Sequence, residues 1–327
     1  MLQRTRWLTG MALMAVGQIA LAQSHPGAAA VVTAEPRVTE FQIPGAQAPR
    51  DPWPHSAGGV YFSMRGADKI VRFDAATRQF REWPLPAGAQ PHGVAVGGDG
   101  TIFYAGFGNG TIGELDPRTG VVRQHRLAAA DSRPYSIALD RQDNVWVTAR
   151  GGSIAMLDRA AGRVTETPMD GEPYGLAFDR NGVLWVTCIG ADKLRSFNPR
   201  TGGTTELAFE RGAKPRRLSI AADGRIWVTL YGAGRLAAVD GATNKVVKQY
   251  VMPGGPNSGP YSVSVGPGGR VWVTEFQTDT IAVLDLSSGT FRVIPLTARS
   301  GIRNAAMDSL GRYWFITSGT GRIGLVE

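Results

Sequence analysis

The chain has 327 residues, a formal charge of +8, 43 Gly, 20 Pro and a single Cys. One Cys excludes an intramolecular disulfide, and no CxxCH haem site is present. Lys and Arg are scattered through turns such as Asp116-Pro117-Arg118-Thr119 with no long basic run, so no nucleic-acid partner is expected despite the basic balance.

The first segment reads as a targeting signal. Arg4 and Arg6 precede a mostly apolar stretch from Trp7 to Ile19, and Ala20-Leu21-Ala22 stands before Gln23 as a small-x-small cleavage site. Residues 1–22 are therefore assigned to a signal peptide cleaved after Ala22, and the mature chain to the periplasm or the exterior. The apolar run is shorter than the ~20 residues of a membrane span. No later segment is long enough, so no span is expected in the mature chain. Residues 23–37, small and Pro-containing, read as a flexible leader.

Residues 38–327 form one repeated domain. Pro173 to Asn198 sets the template: Tyr174 to Phe178, Val183 to Cys188 and Lys193 to Phe197 are short runs of β-branched, aromatic and alternating residues separated by Asn-Gly and Gly-Ala turns. Other copies begin at Pro49, Pro91, Pro134, Pro215, Pro260 and Ile302. The residue after each start is Arg50, His92, Tyr135, Tyr174, Arg216, Tyr261 or Arg303. Eleven positions later stands an aromatic every time: Tyr61, Phe103, Trp146, Trp185, Trp227, Trp272 and Trp314. A period near 40 with several strands per unit means a propeller or a solenoid.

The ends decide between them. Val38 to Pro44 resembles the segments that close other repeats, such as Phe80 to Pro86 and Phe291 to Leu296. The last repeat stops after its third strand, at Gly321 to Glu327. An orphan fourth strand at the start can complete the last unit and close a ring, which removes exposed sheet edges. The expected fold is all-β: a seven-bladed β-propeller of four-stranded blades, closed by its N-terminal strand. The Asp- and Gly-containing segments between third and fourth strands, such as Asp158 to Gly162, offer one carboxylate each and read as turns, not calcium loops.

In a propeller the first strands line the central channel, so Arg50, His92, Tyr135, Tyr174, Arg216, Tyr261 and Arg303 should converge on one mouth. Three guanidiniums, three phenols and one imidazole suit a small anionic or polar ligand, since Arg offers forked donors to carboxylate and phosphate. Arg65, Arg150 and Arg217 would extend the positive field. The same ring could instead be solvated and structural. No metal-ligand cluster, GxSxG elbow or P-loop appears, and no metal ligands are assigned. No catalytic set emerges; His92 and Glu275 are the titratable candidates nearest the mouth, and Cys188 reads as a small core residue.

Pro91-His92-Gly93-Val94-Ala95, Pro173-Tyr174-Gly175-Leu176-Ala177, the Trp-Val-Thr cores and Thr111-Ile112-Gly113 resemble the virginiamycin B lyase (streptogramin lyase) family over residues 38–327. That resemblance implies a monomeric seven-bladed propeller that opens cyclic depsipeptides by magnesium-dependent elimination at the ester; magnesium is implied by the resemblance alone. Where the family carries a His after the Pro of its penultimate blade, this chain has Tyr261. Where the family has Glu-Pro-His, it has Gly301-Ile302-Arg303; the family's last-blade Glu falls near Thr317-Ser318 and its first-blade Tyr on Arg50. Three functions stay open on the sequence: a streptogramin-lyase-like C–O lyase, a non-catalytic periplasmic binder of an anion, and a scaffold for protein partners.

Overall fold

The structure, a computed structural model, describes residues 36–55, 59–129 and 131–327. The signal-peptide assignment and all but the end of the leader lie outside them. The described residues form seven four-stranded antiparallel sheets, each a blade. Blade 4 illustrates the pattern, with strands Pro173–Phe178, Leu184–Cys188, Lys193–Phe197 and Thr204–Ala208 in spatial order from channel to rim. Burial follows that order. The second strand is buried at every residue, whereas the fourth is mostly exposed.

The ring closes as the two ends require. Val38–Gln42 pairs with Arg322–Val326 of blade 7, from Val38 opposite Val326 to Gln42 opposite Arg322. Arg37 and Glu327 exchange backbone hydrogen bonds at 3.0 and 3.1 Å. Ile43 and Trp314 are buried in one cluster with Phe62 and Phe73 of blade 1.

The aromatic found eleven residues after each ring position joins blade to blade. Trp185 packs on Leu218, Ile226 and Val228 of blade 5, and Trp227 on Val263, Val271 and Val273 of blade 6. Burying one Trp side chain transfers enough surface for about 4–6 kcal/mol. The interval also has a polar cause. The Asp opening the first turn accepts from the indole: Asp140 from Trp146 at 3.1 Å, Asp179 from Trp185 at 3.2 Å, and Asp308 from Trp314 at 3.0 Å.

Blade 1 departs from the template. Its innermost strand is only Trp53–Pro54, preceded by an isolated bridge between Pro49 and Met64. Pro49, Pro52 and Pro54 have no N–H to give to a ladder, so pairing breaks there.

Candidate functional site at the channel mouth

In blades 2 to 7 the first strand carries a register shift directly after its opening residue, between Pro91 and Val94, Pro134 and Ile137, Pro173 and Leu176, Pro215 and Leu218, Pro260 and Val263, and Ile302 and Ala305. The ring residue sits in this bulge. An unpaired bulge residue re-aims its side chain, here into the channel. The threonine of each Trp-Val-Thr core then fixes the bulge. Thr187 Oγ1 accepts from the Gly175 N–H at 2.8 Å and donates to the Arg216 carbonyl of the next blade at 2.6 Å. Thr148, Thr229 and Thr274 make the same pair of bonds, to the Tyr174, Tyr261 and Arg303 carbonyls at 2.7, 3.0 and 2.7 Å. Blades 3 to 6 thus each hold the ring residue of the next blade.

All seven ring residues line one cavity of about 320 Å³. A second circle, one residue beyond each second strand, forms its walls: Arg65, Phe107, Arg150, Ile189, Tyr231 and Phe276. The equivalent blade 7 position, Ser318, accepts a hydrogen bond from Arg50 Nη1 at 2.7 Å. Phe107, Ile189, Tyr231 and Phe276 escape a reading confined to the first strands. The same sevenfold equivalence, applied to the residue after the second strand, would have found them.

Five guanidiniums and no carboxylate line the cavity. Arg150 is paired with Glu172. The others lack an acidic partner among the described residues. Arg50 donates to Ser318 and to the Pro49 carbonyl, Arg65 to Gln90 at 3.4 Å, and Arg216 to Tyr174 Oη at 2.9 Å. Arg303 lies 4.5 Å over the Phe276 ring, and Arg216 lies 3.9 Å over Tyr231 and 4.7 Å over Tyr261. Burial, followed by the neighbouring Arg303 charge, lowers the proton affinity of Arg50. The Nε of Arg216 is buried without a hydrogen-bond partner.

The three ring tyrosines meet. Tyr135 Oη is 2.5 Å from Tyr174 Oη and 3.1 Å from Tyr261 Oη, and the Tyr174 and Tyr261 hydroxyls share a very short hydrogen bond. Burial, and then the other phenol oxygens, raise Tyr135 and Tyr174 above the usual phenol range. Burial acts in the same direction on Tyr261, but Arg216 and Arg217 overrule it and the net shift is downward.

One layer deeper, the residues after the ring include Asp51, Gly93, Ser136, Gly175, Arg217 and Ser262. Arg217 reaches from blade 5 to Ser136 Oγ at 2.8 Å and to Asp51 Oδ2 at 2.6 Å. Burial opposes the Asp51 charge, yet the Arg217 guanidinium and then His92 hold its carboxyl well below the usual range. Asp51 is the functional-layer residue that sequence reasoning missed, because its partner lies 166 positions away. Glycine is needed in this layer: a Cβ on Gly175 would stand 2.5 Å from the Arg216 carbonyl oxygen. Arg217 therefore does not add free charge to the mouth, whereas Arg65 and Arg150 do line it.

His92 is buried with its ring centroid 3.6 Å from that of Tyr135. Its Nδ1 is 3.6 Å from Asp51 Oδ2, beyond hydrogen-bond reach, and has no partner. Burial pushes its pKa down to about 4, with Asp51 only partly opposing, so the ring is neutral at pH 7. Glu275 does not line the cavity. Its carboxylate is fully buried and accepts from the Gly254 N–H at 3.0 Å and from Thr280 Oγ1 at 2.9 Å, which ties down a loop. Cys188 packs with Leu184 and Val186, and burial pushes its thiol up to about 11.

The mouth does not fit magnesium. Mg²⁺ takes carboxylate and water oxygens, but here the lining charges are guanidiniums and the carboxylates beside the lining, Asp51 and Glu172, are held by Arg217 and Arg150. Among the described residues no three His, Cys, Asp or Glu side chains gather as a metal-ligand group. No described helix is long and apolar enough to cross a membrane.

The sequence model of the virginiamycin B lyase family matches residues 8–169. No curated protein sequence matches the chain. Among solved structures, the fold is similar to one described as a streptogramin B lyase, with a TM-score of 0.82 at 22% identity, covering 89% of this chain and 97% of that one. It is also similar to selenomethionine-substituted virginiamycin B lyase from Staphylococcus aureus, with a TM-score of 0.82 at 19% identity, covering 89% and 99% of the two chains. A catalytically inactive variant of the Staphylococcus aureus lyase, solved with quinupristin, matches with the same values. These likenesses are likenesses of fold. The sequence match runs from residue 8 through blade 3, just under half of the chain, and the rest shares the seven-bladed fold, so the chain resembles the virginiamycin B lyase family.

Proposed function

We propose that this protein is an exported propeller that binds a small anionic molecule at its channel mouth. The observation that carries this reading is the convergence of Arg50, Arg65, Arg216 and Arg303 on one cavity without a carboxylate in its lining. Like charges held together in a partly desolvated site repel, and an anion relieves them. Phe107, Ile189 and Phe276 give such a ligand an apolar wall for its carbon skeleton. Export rests on Arg4, Arg6 and the Ala20-Leu21-Ala22 pattern.

A second reading is elimination on a cyclic ester, which the family resemblance implies; the solved relatives are named as lyases. The family match over residues 8–169 favours it. The absence of a free carboxylate from the described lining weighs against its magnesium-dependent form.

Thermal unfolding with sulfate, phosphate and a carboxylate such as citrate tests binding. A ligand at a hundred times its Kd adds about 2.7 kcal/mol to stability, and the midpoint should rise saturably. The Arg50→Gln/Arg303→Gln variant should lose that rise while being no less stable unliganded, because it removes two cations that repel each other. Magnesium or a chelator should not move the midpoint. An anion response that is unsaturable, or equal in the variant, rejects the reading.

A further inference from the structure

The phenol cluster under the mouth carries more than ligand contacts. Three hydroxyls lie within 3.1 Å of one another, from blades 3, 4 and 6. A closed triangle of phenols can be satisfied internally with every proton in place. This one has further donors pressed against it. Arg216 Nη1 donates to Tyr174 Oη at 2.9 Å and its guanidinium stands over the Tyr261 ring. Arg217 lies 5.7 and 5.6 Å over the Tyr135 and Tyr174 rings from below. The charged groups facing the cluster are Arg216 and Arg217 of blade 5, Arg150 of blade 3 with its partner Glu172, Arg50 and Asp51 of blade 1, and Arg303 of blade 7; His92 of blade 2 is neutral. Asp51 balances Arg217 and Glu172 balances Arg150. A further negative charge, beside Arg216, is missing from the wall of the site.

We propose that the three hydroxyls hold that charge as a single phenolate, carried by Tyr261, and that this phenolate is the proton acceptor for the anionic molecule seated at the mouth. The inference rests on the anion-binding reading for its ligand, not for its phenolate. With Arg216 already compensated, the anionic end of the ligand goes to Arg50 and Arg303, and its body extends over the tyrosines between Phe107, Ile189 and Phe276. The proton passes from an acidic position of the ligand to Tyr261 Oη. The electron pair stays on the ligand, and the phenolate becomes a neutral phenol. Arg216, released from its pairing, then faces the charge formed on the ligand. Tyr135 and Tyr174 act as positioning residues through their hydrogen bonds to Tyr261.

The deciding experiment is an ultraviolet titration of tyrosinate on the full ligand-free protein, which needs no substrate. The chain has 8 tyrosines. One equivalent should ionise below the ordinary phenol value of about 10, ahead of the rest. Tyr261→Phe should delete that equivalent. Arg216→Gln keeps the phenol and should return it to the ordinary range, so the assignment does not depend on one variant folding. Because titration of interacting groups belongs to the cluster, the two variants together name the bearer. If no equivalent ionises early, or if it survives in Tyr261→Phe, the phenolate is overturned. Repeating the titration in saturating sulfate should move the early equivalent to higher pH, and not in Arg50→Gln/Arg303→Gln. An early equivalent that ignores sulfate leaves the phenolate standing but removes its adjacent anion, which overturns its role as acceptor and the anion-binding reading with it.

Discussion

His92 places an imidazole at the channel mouth, and burial decides its behaviour. The ring is packed on Tyr135 and prefers to be neutral, with its pKa pushed down to about 4. An unfolded histidine titrates near 6.5. The folded value is depressed, so the contribution is fully present above pH 6.5 and is lost as the pH falls from there toward 4. Linkage puts the loss at roughly 3 kcal/mol as an upper bound. Asp51 stays ionised across that window, since its carboxyl is held well below the usual range by Arg217. Denaturant unfolding at a series of pH values should therefore show stability falling between pH 6.5 and 4 in the wild type and a flatter profile in His92→Phe. Parallel profiles would mean that the acid sensitivity lies elsewhere. The ring residues themselves were legible in the sequence because they recur at a fixed offset from a proline and an aromatic. What they bond to was not. Asp51 and Arg217, or Tyr135 and Tyr261, are brought together by the ring as a whole.

At the scale of the element, the bulge and the threonine belong together. A bulged first strand leaves a backbone N–H and, in the next blade, a carbonyl that need partners away from water. Thr187 supplies both at once for blades 4 and 5. Thr187→Val keeps the shape and leaves two buried backbone groups unpaired, which should cost about 1–3 kcal/mol. Thr187→Ser keeps the hydroxyl and should cost less. Chemical denaturation of the two variants separates the bond from the packing; equal losses would show that packing dominates. The second- and third-strand limits follow from β-branched and aromatic residues between turn signals: the second strand of blade 4 starts one residue later than expected, at Leu184, and the third, Lys193–Phe197, matches its predicted bounds. The bulge was not legible, because nothing in Pro-Tyr-Gly distinguishes a paired strand start from an unpaired one. The short innermost strand of blade 1 was partly legible through Pro49, Pro52 and Pro54.

At the scale of the molecule, the ring is held shut by one strand from the far end of the chain. Val38–Gln42 covers the edge of Arg322–Val326, and Ile43 is buried between blades 7 and 1. Removing Val38, Phe41 and Ile43 from their contacts should cost roughly 3–6 kcal/mol, comparable with the whole net stability of many domains. A chain beginning at residue 45 should therefore lose the single cooperative transition expected of one beginning at residue 36, and should self-associate through its open edge. An unchanged calorimetric transition would mean that closure is not stabilising. The amino-acid sequence by itself determined the repeat, the blade count and the closure, because these depend on local period and on strands counted from each end. It also determined which first-strand residues share the mouth, since equivalent positions in a closed ring must share an axis. The tertiary structure alone decided which guanidiniums keep a free charge, which histidine and glutamate are withdrawn into packing and loop contacts, and where three phenols touch. Those outcomes depend on distances across the channel between blades far apart in the chain, and burial and Coulomb energies change steeply over a few ångströms.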